Sequence, residues 1–114
     1  MNPDSKILNA IIENLKTLNP YKIILFGSMS KIEITSNNDI DIYIVLNTDD
    51  LPLTYEDKMR YKIAVRNAIL DISKKIPIDL IVHTKPMYEK FKNQNSLFSE
   101  EILTKGKVLY ETVN

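Results

Sequence analysis

The first hydrophobic pattern along the chain has the period of an α-helix. Residues three and four positions apart share one helix face, so the spacing predicts an amphipathic helix near the start of the chain. Its apolar positions are Ile7, Leu8, Ile11, Ile12, Leu15 and Leu18. Asp4 or Ser5 can act as the N-cap, and the helix is expected to end near Asn19 and Pro20.

Two strands are predicted after this helix. The apolar run Lys22–Phe26 lies between a proline and Gly27, and Asp39–Leu46 is the next run rich in β-branched residues. Between them, Ser28–Ile34 is expected to form a short helix, followed by a polar loop over 35–38. The pattern therefore changes from helical to extended before the middle of the chain.

A longer helix is predicted in the centre of the sequence. Thr54 and Asp57 have the spacing of a capping box, and the helix is expected to extend to about Lys75, before Pro77. Its expected apolar stripe consists of Met59, Ile63, Ala64, Ala68, Ile69 and Ile72. This stripe predicts that one face of the helix packs on a sheet.

The last third of the chain contains shorter elements. Ile78–Val82 is predicted to be a third strand, and a helical region from Pro86 to Lys105 is expected to be interrupted near 93–95. Val108–Tyr110 is predicted to be a terminal strand or an extended tail. The order of elements predicts an α/β single domain, residues 1–114, with a mixed sheet, helices packed on one face and the other face left for a site.

Composition narrows the functional classes. The chain has 114 residues, 44% of them hydrophobic and 26% charged, and a formal net charge of zero. This balance argues against general nucleic-acid binding, which needs an excess of Lys and Arg. Zero cysteines and one histidine exclude disulfides, thiolate catalysis and histidine-rich metal sites. With no long apolar run and no signal-peptide pattern, we expect a cytoplasmic protein without membrane association.

A pair of aspartates at the start of the second strand is the main chemical feature. Side chains alternate along a strand, so Asp39 and Asp41 point the same way while Ile40 and Ile42 point into the core. The two carboxylates lie roughly 7 Å apart along the strand and repel each other unless a cation lies between them. Oxygen-only ligands favour Mg²⁺ or Mn²⁺. The same alternation also fits a half-exposed antiparallel strand with Asp on its wet face.

Asp79 is a third carboxylate within an apolar strand. It lies between Ile78 and Leu80, where an ionised carboxylate must be at a surface, paired, or bound to a metal. If its strand lies beside the Asp39–Leu46 strand, three carboxylates converge on one patch. Such a patch is what a two-metal phosphoryl-transfer site requires.

The Gly27-Ser28 pair closes the first strand. A glycine at this position is most often only a turn residue, but backbone N–H groups in such a turn can also receive a phosphate. The combination of strand, Gly-Ser turn, acidic pair and later strand aspartate is more specific than any of its parts.

These residues resemble a known family. Gly27-Ser28, Asp39-Ile40-Asp41 and Asp79 match the pattern of the minimal nucleotidyltransferase (MNT) branch of the DNA-polymerase-β-like nucleotidyltransferase superfamily. The resemblance covers nearly the whole chain and includes the tail over 101–111. It implies a mixed sheet with helices packed on one side and Mg²⁺-dependent transfer of a nucleoside monophosphate from an NTP.

The resemblance also implies roles for individual residues. Asp39 and Asp41 would hold the metals and the triphosphate, and Asp79 would complete the metal site and help deprotonate the acceptor hydroxyl. Gly27 and Ser28 would hold the β- and γ-phosphates.

The glycine-rich loop departs from the family pattern. The family commonly has Gly-Ser-x-Ala-Arg-Gly before Ser-Asp-x-Asp, whereas this chain has Lys31 and Ile32 in place of the Arg-Gly pair and Asn38 in place of the second Ser. Lys31 still supplies positive charge but lacks the bidentate fork of Arg, and Ile32 restricts a positive φ. Lys31 and Asn38 remain candidate nucleotide-binding residues beside Gly27 and Ser28.

The activity implied by the resemblance is transfer of AMP from ATP to an acceptor hydroxyl. A chain of 114 residues leaves little room for a dedicated acceptor domain, so the expected acceptor is a partner protein. MNT proteins are often antitoxins that bind, and in some systems AMPylate on tyrosine, a HEPN-type ribonuclease toxin, which implies a type VII-like toxin–antitoxin role. Two alternatives remain: a non-catalytic module that neutralises its partner by contact, and a nucleotidyltransferase acting on a small molecule such as an aminoglycoside.

Other polar residues are weaker candidates. His83 shares a strand face with Asp79, and Tyr43 shares one with Asp41, but a solvated or packing role is favoured over function for His83, and sheet packing for Tyr43. The basic residues of the central helix are interpreted as a solvated face. They are Lys58, Arg60, Lys62 and Arg66.

Overall fold

A computed structural model describes residues 3–27 and 39–112 of the chain. The elements follow one another in the order α1 Pro3–Lys16, β1 Pro20–Phe26, β2 Ile40–Leu46, α2 Tyr55–Ala68, α3 Leu70–Ser73, β3 Ile78–Thr84, α4 Lys85–Asn93, α5 Leu97–Leu103 and β4 Lys107–Glu111. The predicted short helix over Ser28–Ile34 lies outside the described residues. Helix α1 begins before the predicted caps Asp4 and Ser5, whose side chains also lie outside the description.

The strands form one mixed sheet in the order β3-β2-β1-β4. Strand β1 pairs antiparallel with both β2 and β4, whereas β2 and β3 run parallel. A parallel pair needs a crossover connection, and α2 with α3 supplies it between β2 and β3. The predicted α/β class with a mixed sheet and helices is confirmed.

Alternate residues of the central strands pack on opposite faces of the sheet and form two cores. The first core contains Ile23, Leu25, Ile40, Ile42, Ile44 and Leu46 of the sheet, with Ile11 and Leu15 of α1 and Val65 and Ile69 of α2. The second core contains Ile24, Phe26, Tyr43 and Val45 of the sheet, with Tyr88 and Phe91 of α4 and Ile102 of α5. Strands that are apolar on both faces are typical of sheets covered on both sides.

The distribution of the helices differs from the expectation that they pack on one face. Helices α1 and α2 cover the first face, while α4 and α5 cover part of the second. The reason lies in the last third of the chain, where Tyr88, Phe91 and Ile102 form an apolar surface that must be buried against the sheet. The second face of the sheet, which was expected to be free of helices, is therefore partly covered by α4 and α5.

Helix α2 begins as predicted, and the stripe through which it packs agrees in part with the predicted one. The Oγ1 of Thr54 accepts a hydrogen bond from the backbone N–H of Asp57 at 3.1 Å, which confirms the predicted N-cap. Val65 and Ile69 are buried, whereas Ile63 is 47% exposed. The predicted stripe included Ile63 and left out Val65, whereas in the structure Val65 faces the sheet.

The predicted interruption of the last helical region is confirmed. Asn95 has a φ of 51° in the connection between α4 and α5, a left-handed conformation that asparagine tolerates better than most residues. Ser96 then caps α5 by accepting a hydrogen bond from the N–H of Ser99 at 3.0 Å. Among the helices described, none has the length and apolar character needed to cross a bilayer.

Candidate active site

The parallel pairing of β2 and β3 brings two of the predicted acids together. The register pairs Asp41 with Asp79, so the two residues are direct neighbours across the strands. Asp39 lies immediately before β2, at the same end of the sheet. The sequence predicted that the three carboxylates converge on one patch only if these two strands are adjacent. The topology meets that condition.

Asp41 has the most perturbed environment of the three acids. It is partly buried, whereas Asp39 and Asp79 are exposed. Burial raises the pKa of the Asp41 carboxyl, and the negative charges of Asp79 and Asp39 together with a side-chain hydrogen bond to Asp79 raise it further. The ionised form of Asp41 is therefore destabilised by its surroundings, and a nearby cation would relieve that destabilisation.

The donor set fits a hard cation, but the acids do not form a complete site by themselves. Asp41 and Asp79 offer only carboxylate oxygens, which are the ligands that Mg²⁺ and Mn²⁺ prefer. Among residues 3–27 and 39–112, no three acidic or histidine side chains are arranged so that they could hold a metal ion. A cation at this position would therefore rely on the Asp41–Asp79 pair, with Asp39 contributing charge.

Gly27 lies directly against the Asp41 carboxylate. It follows Phe26, which pairs with Asp41 across β1 and β2, and its φ is +76°. A Cβ added at this position would lie 2.6 Å from Asp41 Oδ2. This distance is shorter than the contacts that Cβ atoms make with other atoms in proteins. The backbone conformation therefore favours glycine, and any side chain at this position would require the Asp41 carboxylate to shift.

The other predicted nucleotide-binding residues are not described. Ser28, Lys31 and Asn38 lie outside the described part of the chain. Their assignment remains a prediction from the sequence, as does the loop geometry expected from Ile32.

An aromatic cluster occupies the same face of the sheet, further along the two strands. The hydroxyl of Tyr43 and Nδ1 of His83 are 2.7 Å apart. The Tyr43 ring stacks on Phe91, with ring centroids 5.4 Å apart, and His83 meets both rings edge-on. Both weaker candidates of the sequence, Tyr43 and His83, therefore belong to one packed aromatic group.

The protonation states within this aromatic cluster follow from burial. Burial, assisted by the positive charge of Lys58, lowers the pKa of His83 to about 4, so the imidazole is neutral at pH 7. Burial also raises the pKa of Tyr43 above its ordinary value, which keeps the hydroxyl protonated. In the tautomer with its proton on Nε2, Nδ1 of His83 accepts a hydrogen bond from the Tyr43 hydroxyl, which satisfies this buried O–H.

Two cavities border β3. One, of about 390 Å³, lies between β3, α4 and the loop before α2, and its wall includes His83, Phe91 and Phe98 together with Lys58 and Lys90. The other, of about 400 Å³, lies between α2 and β3.

The cavity between α2 and β3 includes a predicted catalytic acid. Asp79 lines it, and so do Lys62 and Arg66 of α2. Both cations are exposed, as the sequence predicted for a solvated helix face, but the helical pattern does not indicate which strand edge the helix lies beside.

The family to which the chain belongs is decided by its sequence. Residues 9–114 match the family model described as polymerase beta, nucleotidyltransferase. The chain belongs to this nucleotidyltransferase family. This membership confirms the predicted superfamily. It also fits the position of Asp41 and Asp79, which pair across two parallel strands beside Gly27.

Solved structures share the fold of this nucleotidyltransferase domain. A toxin–antitoxin crystal structure with AMP-PNP is 21% identical, with a TM-score of 0.54, and the match covers 92% of this chain and 73% of that chain. A mutant of the toxin–antitoxin MntA-HpeT is 20% identical, with a TM-score of 0.52 and the same coverage. At this level of identity the likeness shows a common fold. No curated protein matches the sequence.

Proposed function

We propose that this nucleotidyltransferase domain transfers AMP from ATP, with Mg²⁺ or Mn²⁺, to a hydroxyl group of a partner toxin of the HEPN type. The observation that carries the proposal is the direct pairing of Asp41 with Asp79 beside the Gly27 turn, in a chain of the nucleotidyltransferase family. In the proposed reaction, the acceptor oxygen forms a bond to the α-phosphorus, the bond between the α-phosphorus and the bridging oxygen breaks, and pyrophosphate leaves.

The proposed roles of the residues follow from their positions. Asp41 and Asp79, with Asp39 beside them, would hold the cation, which when bound supplies neutralising charge and favours the ionised acceptor hydroxyl. Asp79 is exposed near the start of β3 and would take up the acceptor proton. Gly27 would let the phosphates approach its backbone closely.

The proposed partner is supported by the structural neighbours and by the surface. The two neighbours are toxin–antitoxin structures, one of them with AMP-PNP. Around the cavity near His83, three apolar side chains are exposed, Leu53 by 81%, Phe98 by 51% and, next to Phe98 in sequence, Leu97 by 86%. Large exposed apolar side chains that cluster are typical of a protein-binding surface.

The proposal is tested by following the α-phosphate of ATP. ATP labelled at that phosphate is incubated with Mg²⁺, this protein and the protein encoded next to it. The Asp39→Asn/Asp41→Asn variant is assayed in parallel, and a folding control such as circular dichroism accompanies it because two charges are lost. We expect label on the neighbouring protein with the wild type only.

Label that stays on ATP with the wild type, under conditions where the two proteins form a complex, would contradict the proposed transfer. Replacing ATP by each of the other NTPs in the same assay measures the nucleotide preference.

A second candidate function is neutralisation of the partner by contact alone. The exposed side chains of Leu53, Leu97 and Phe98 favour it because they require no chemistry at the acidic pair. Under this alternative, the Asp39→Asn/Asp41→Asn variant would still neutralise the partner fully. Loss of neutralisation by that variant, with its complex intact, would leave transfer as the function.

A further inference from the structure

The cavity of about 390 Å³ between β3, α4 and the loop before α2, here called the β3–α4 cavity, lies on the same face of the sheet as the acidic pair. Ile81 and His83 line this cavity, and they follow Asp79 on β3 by two and four residues. Side chains two residues apart along a strand share a face, and Ile81 packs with the second core on that face. Since a strand rises about 3.3 Å per residue, the cavity begins roughly 7 Å from Asp79. The β3–α4 cavity is therefore a direct neighbour of the proposed catalytic acids.

Much of the wall of this cavity is apolar, and part of it is aromatic. Leu51, Met87, Phe91 and Phe98 belong to the wall. Phe98 meets the rings of Phe26 and Phe91 edge-on, with centroids 6.2 and 5.9 Å apart, and about half of its surface stays exposed. Because two aromatic neighbours hold the Phe98 ring, the cavity offers an ordered flat surface to an occupant.

His83 supplies a hydrogen-bond donor within this wall. In the tautomer with its proton on Nε2, its Nδ1 accepts the hydrogen bond from the Tyr43 hydroxyl at 2.7 Å. Among the described residues, Nε2 has no hydrogen-bond partner. It is not sealed in the interior, because Thr84 Oγ1 is the one buried side-chain polar atom of the described chain that lacks a partner. The Nε2–H group is therefore available to a group that enters the cavity. The other polar side chains of the wall are exposed: Lys58, Lys90 and Gln94.

The sheet order indicates which part of a nucleotide would meet this cavity. Strand β2, with Asp41, lies between β1, which leads to Gly27, and β3, which carries Asp79. Phosphates at the Gly27 turn would lie on the β1 side of Asp41, whereas the cavity lies on the β3 side. In a nucleoside triphosphate, the ribose and nucleobase extend from the α-phosphate away from the β- and γ-phosphates. An α-phosphate beside Asp41 and Asp79 would therefore direct the nucleobase towards the β3–α4 cavity.

We infer that the β3–α4 cavity holds the adenine ring of the nucleotide, with the ring against Phe98 and one of its nitrogens accepting a hydrogen bond from Nε2 of His83. The inference rests on the proposed function, because it names how the nucleotide of that reaction is selected. Adenine has ring nitrogens that accept hydrogen bonds, and its faces stack on aromatic side chains. Phe98 and His83 are thereby assigned as residues that determine nucleotide specificity.

The donor of His83 favours a nucleobase over an apolar side chain of a protein partner. An apolar side chain in the cavity would exclude water from Nε2 and leave its N–H without an acceptor, which is unfavourable. An adenine ring covers the apolar wall and satisfies the N–H at the same time. The exposed Leu97 does not line the cavity and stays free for contact with a partner protein.

The experiment follows nucleotide binding by NMR at two groups of the cavity wall, the Met87 methyl group and the imidazole nitrogens of His83. The wild-type protein is titrated in Mg²⁺ with AMP-PNP and, separately, with tripolyphosphate, which has no nucleobase. We expect signal changes at both groups with AMP-PNP only, and binding of AMP-PNP about tenfold tighter than that of tripolyphosphate. Equal affinities for the two compounds, or unchanged Met87 and His83 signals at saturation with AMP-PNP, would overturn the inference.

Two neighbouring residues provide a matched test of the aromatic contact. Phe98→Ala removes a ring that lines the cavity, and Leu97→Ala shortens an exposed side chain next to it that does not. Phe98→Ala should weaken AMP-PNP binding about tenfold and leave tripolyphosphate binding unchanged, whereas Leu97→Ala should change neither. Amide spectra of both variants show whether the fold is kept. An unchanged affinity of a folded Phe98→Ala protein for AMP-PNP would contradict the assigned role of this ring.

The hydrogen bond to His83 is tested on the wild-type protein by changing the nucleotide. The 1-deaza, 3-deaza and 7-deaza forms of ATP each have a C–H group in place of one ring nitrogen. One of them should bind about fivefold more weakly than ATP and lose the signal change at Nε2, because it lacks the acceptor. If all three bind as ATP does, His83 does not read the ring and its assigned role is wrong.

A separate assay keeps this inference distinct from the proposed function. Transfer of label from ATP to the neighbouring protein is measured with the wild type and with both alanine variants. Base-dependent signals at Met87 and His83 without any transfer would support the adenine site while counting against AMP transfer. Transfer that proceeds equally from all four NTPs, with the same KM in Phe98→Ala, would support the proposed function and overturn the adenine site. Signal changes at Met87 and His83 caused by the neighbouring protein, and not by AMP-PNP, would assign the cavity to a partner side chain instead.

Discussion

The two ends of one sheet face differ in how their polar groups are satisfied. Asp41 and Tyr43 are two residues apart on β2, and Asp79 and His83 are four apart on β3, so all four share a face. At the aromatic end, Tyr43 is fully buried and bonded to His83 at 2.7 Å. At the acidic end, Asp41 and Asp79 meet as like charges. The polar groups of the aromatic end satisfy each other, whereas within residues 3–27 and 39–112 neither Asp41 nor Asp79 forms a salt bridge. An added cation is therefore expected to stabilise the acidic end.

Among substitutions that test this difference between the two ends, Asp41→Asn is expected to have the largest effect on activity and stability. Under the proposed function, transfer of AMP should fall about 100-fold or more, because the variant loses a carboxylate proposed to hold the cation and with it several kcal/mol of transition-state stabilisation. Thermal stability without metal should rise, because the pKa of Asp41 is raised in the folded state. A raised carboxyl pKa means that stability is fully present at low pH and is lost as pH rises through the folded-state pKa.

The two measurements are an AMP-transfer assay and thermal unfolding in a chelator between pH 3 and pH 7. The control is Asp71→Asn, which removes an exposed carboxylate on α3. An Asp41→Asn protein that is less stable than the wild type at pH 7 in chelator would contradict the idea of a repulsive acidic pair.

The next effect is expected at the turn that touches the acidic end. Gly27→Ala should lower the free energy of unfolding by about 1–2 kcal/mol, because alanine is strained at a φ of +76°. It should also reduce AMP transfer, since its Cβ would displace the Asp41 carboxylate, 2.6 Å away. Chemical denaturation and the transfer assay measure the two effects.

A double-mutant comparison separates strain from collision. In an Asp41→Ala background the Gly27→Ala change should cost less stability than in the wild type, because the carboxylate is gone and only the backbone strain remains. Equal costs in both backgrounds would mean that the carboxylate moves freely aside.

A smaller effect is expected at the aromatic end and depends on pH. Because the pKa of His83 is lowered to about 4, the unfolded chain takes up a proton between about pH 6.5 and pH 4 that the folded chain does not. Wild-type stability should therefore decrease over this range as pH falls. A loss of about 1 kcal/mol is expected once solvent screening of the partly accessible ring is allowed for.

The measurement is urea unfolding at several pH values for the wild type and for His83→Gln, which does not titrate. The carboxyl groups contribute equally to both proteins, so the difference between the two curves isolates His83. Parallel curves between pH 6.5 and pH 4 would show that His83 is protonated in the fold.

The smallest effect is expected at Thr84, where β3 passes into α4. Thr84 is buried, and its hydroxyl has no hydrogen-bond partner among the described residues. Thr84→Val keeps the shape and removes a buried polar group without a bond, so stability should stay within about 0.5 kcal/mol or rise. A loss above 1 kcal/mol in denaturant unfolding would indicate that the hydroxyl is bonded after all. Thr84→Ser is the matched control, since it keeps the hydroxyl.

Local patterns in the sequence determined most of the elements. The spacing of Thr54 and Asp57 predicted the start of α2, and the Asn-rich stretch around Asn95 predicted the break between α4 and α5. Both predictions held because caps and left-handed turns depend on neighbouring residues only. The stripe on α2 was less predictable, since Val65 rather than Ile63 faces the sheet, and this depends on how the helix is rotated against its neighbours.

For the candidate site, the sequence by itself identified the chemical groups: the carboxylates Asp39, Asp41 and Asp79, and the Gly-Ser pair that ends the first strand. The tertiary structure decided which of them meet. Strand order and register cannot be read from separate segments, because the pairing of Asp41 with Asp79 depends on the crossover through α2. The same packing places the exposed Lys62 and Arg66 along β3, since a helix shows its charged face in its sequence but not the strand edge against which burial of its apolar face places it.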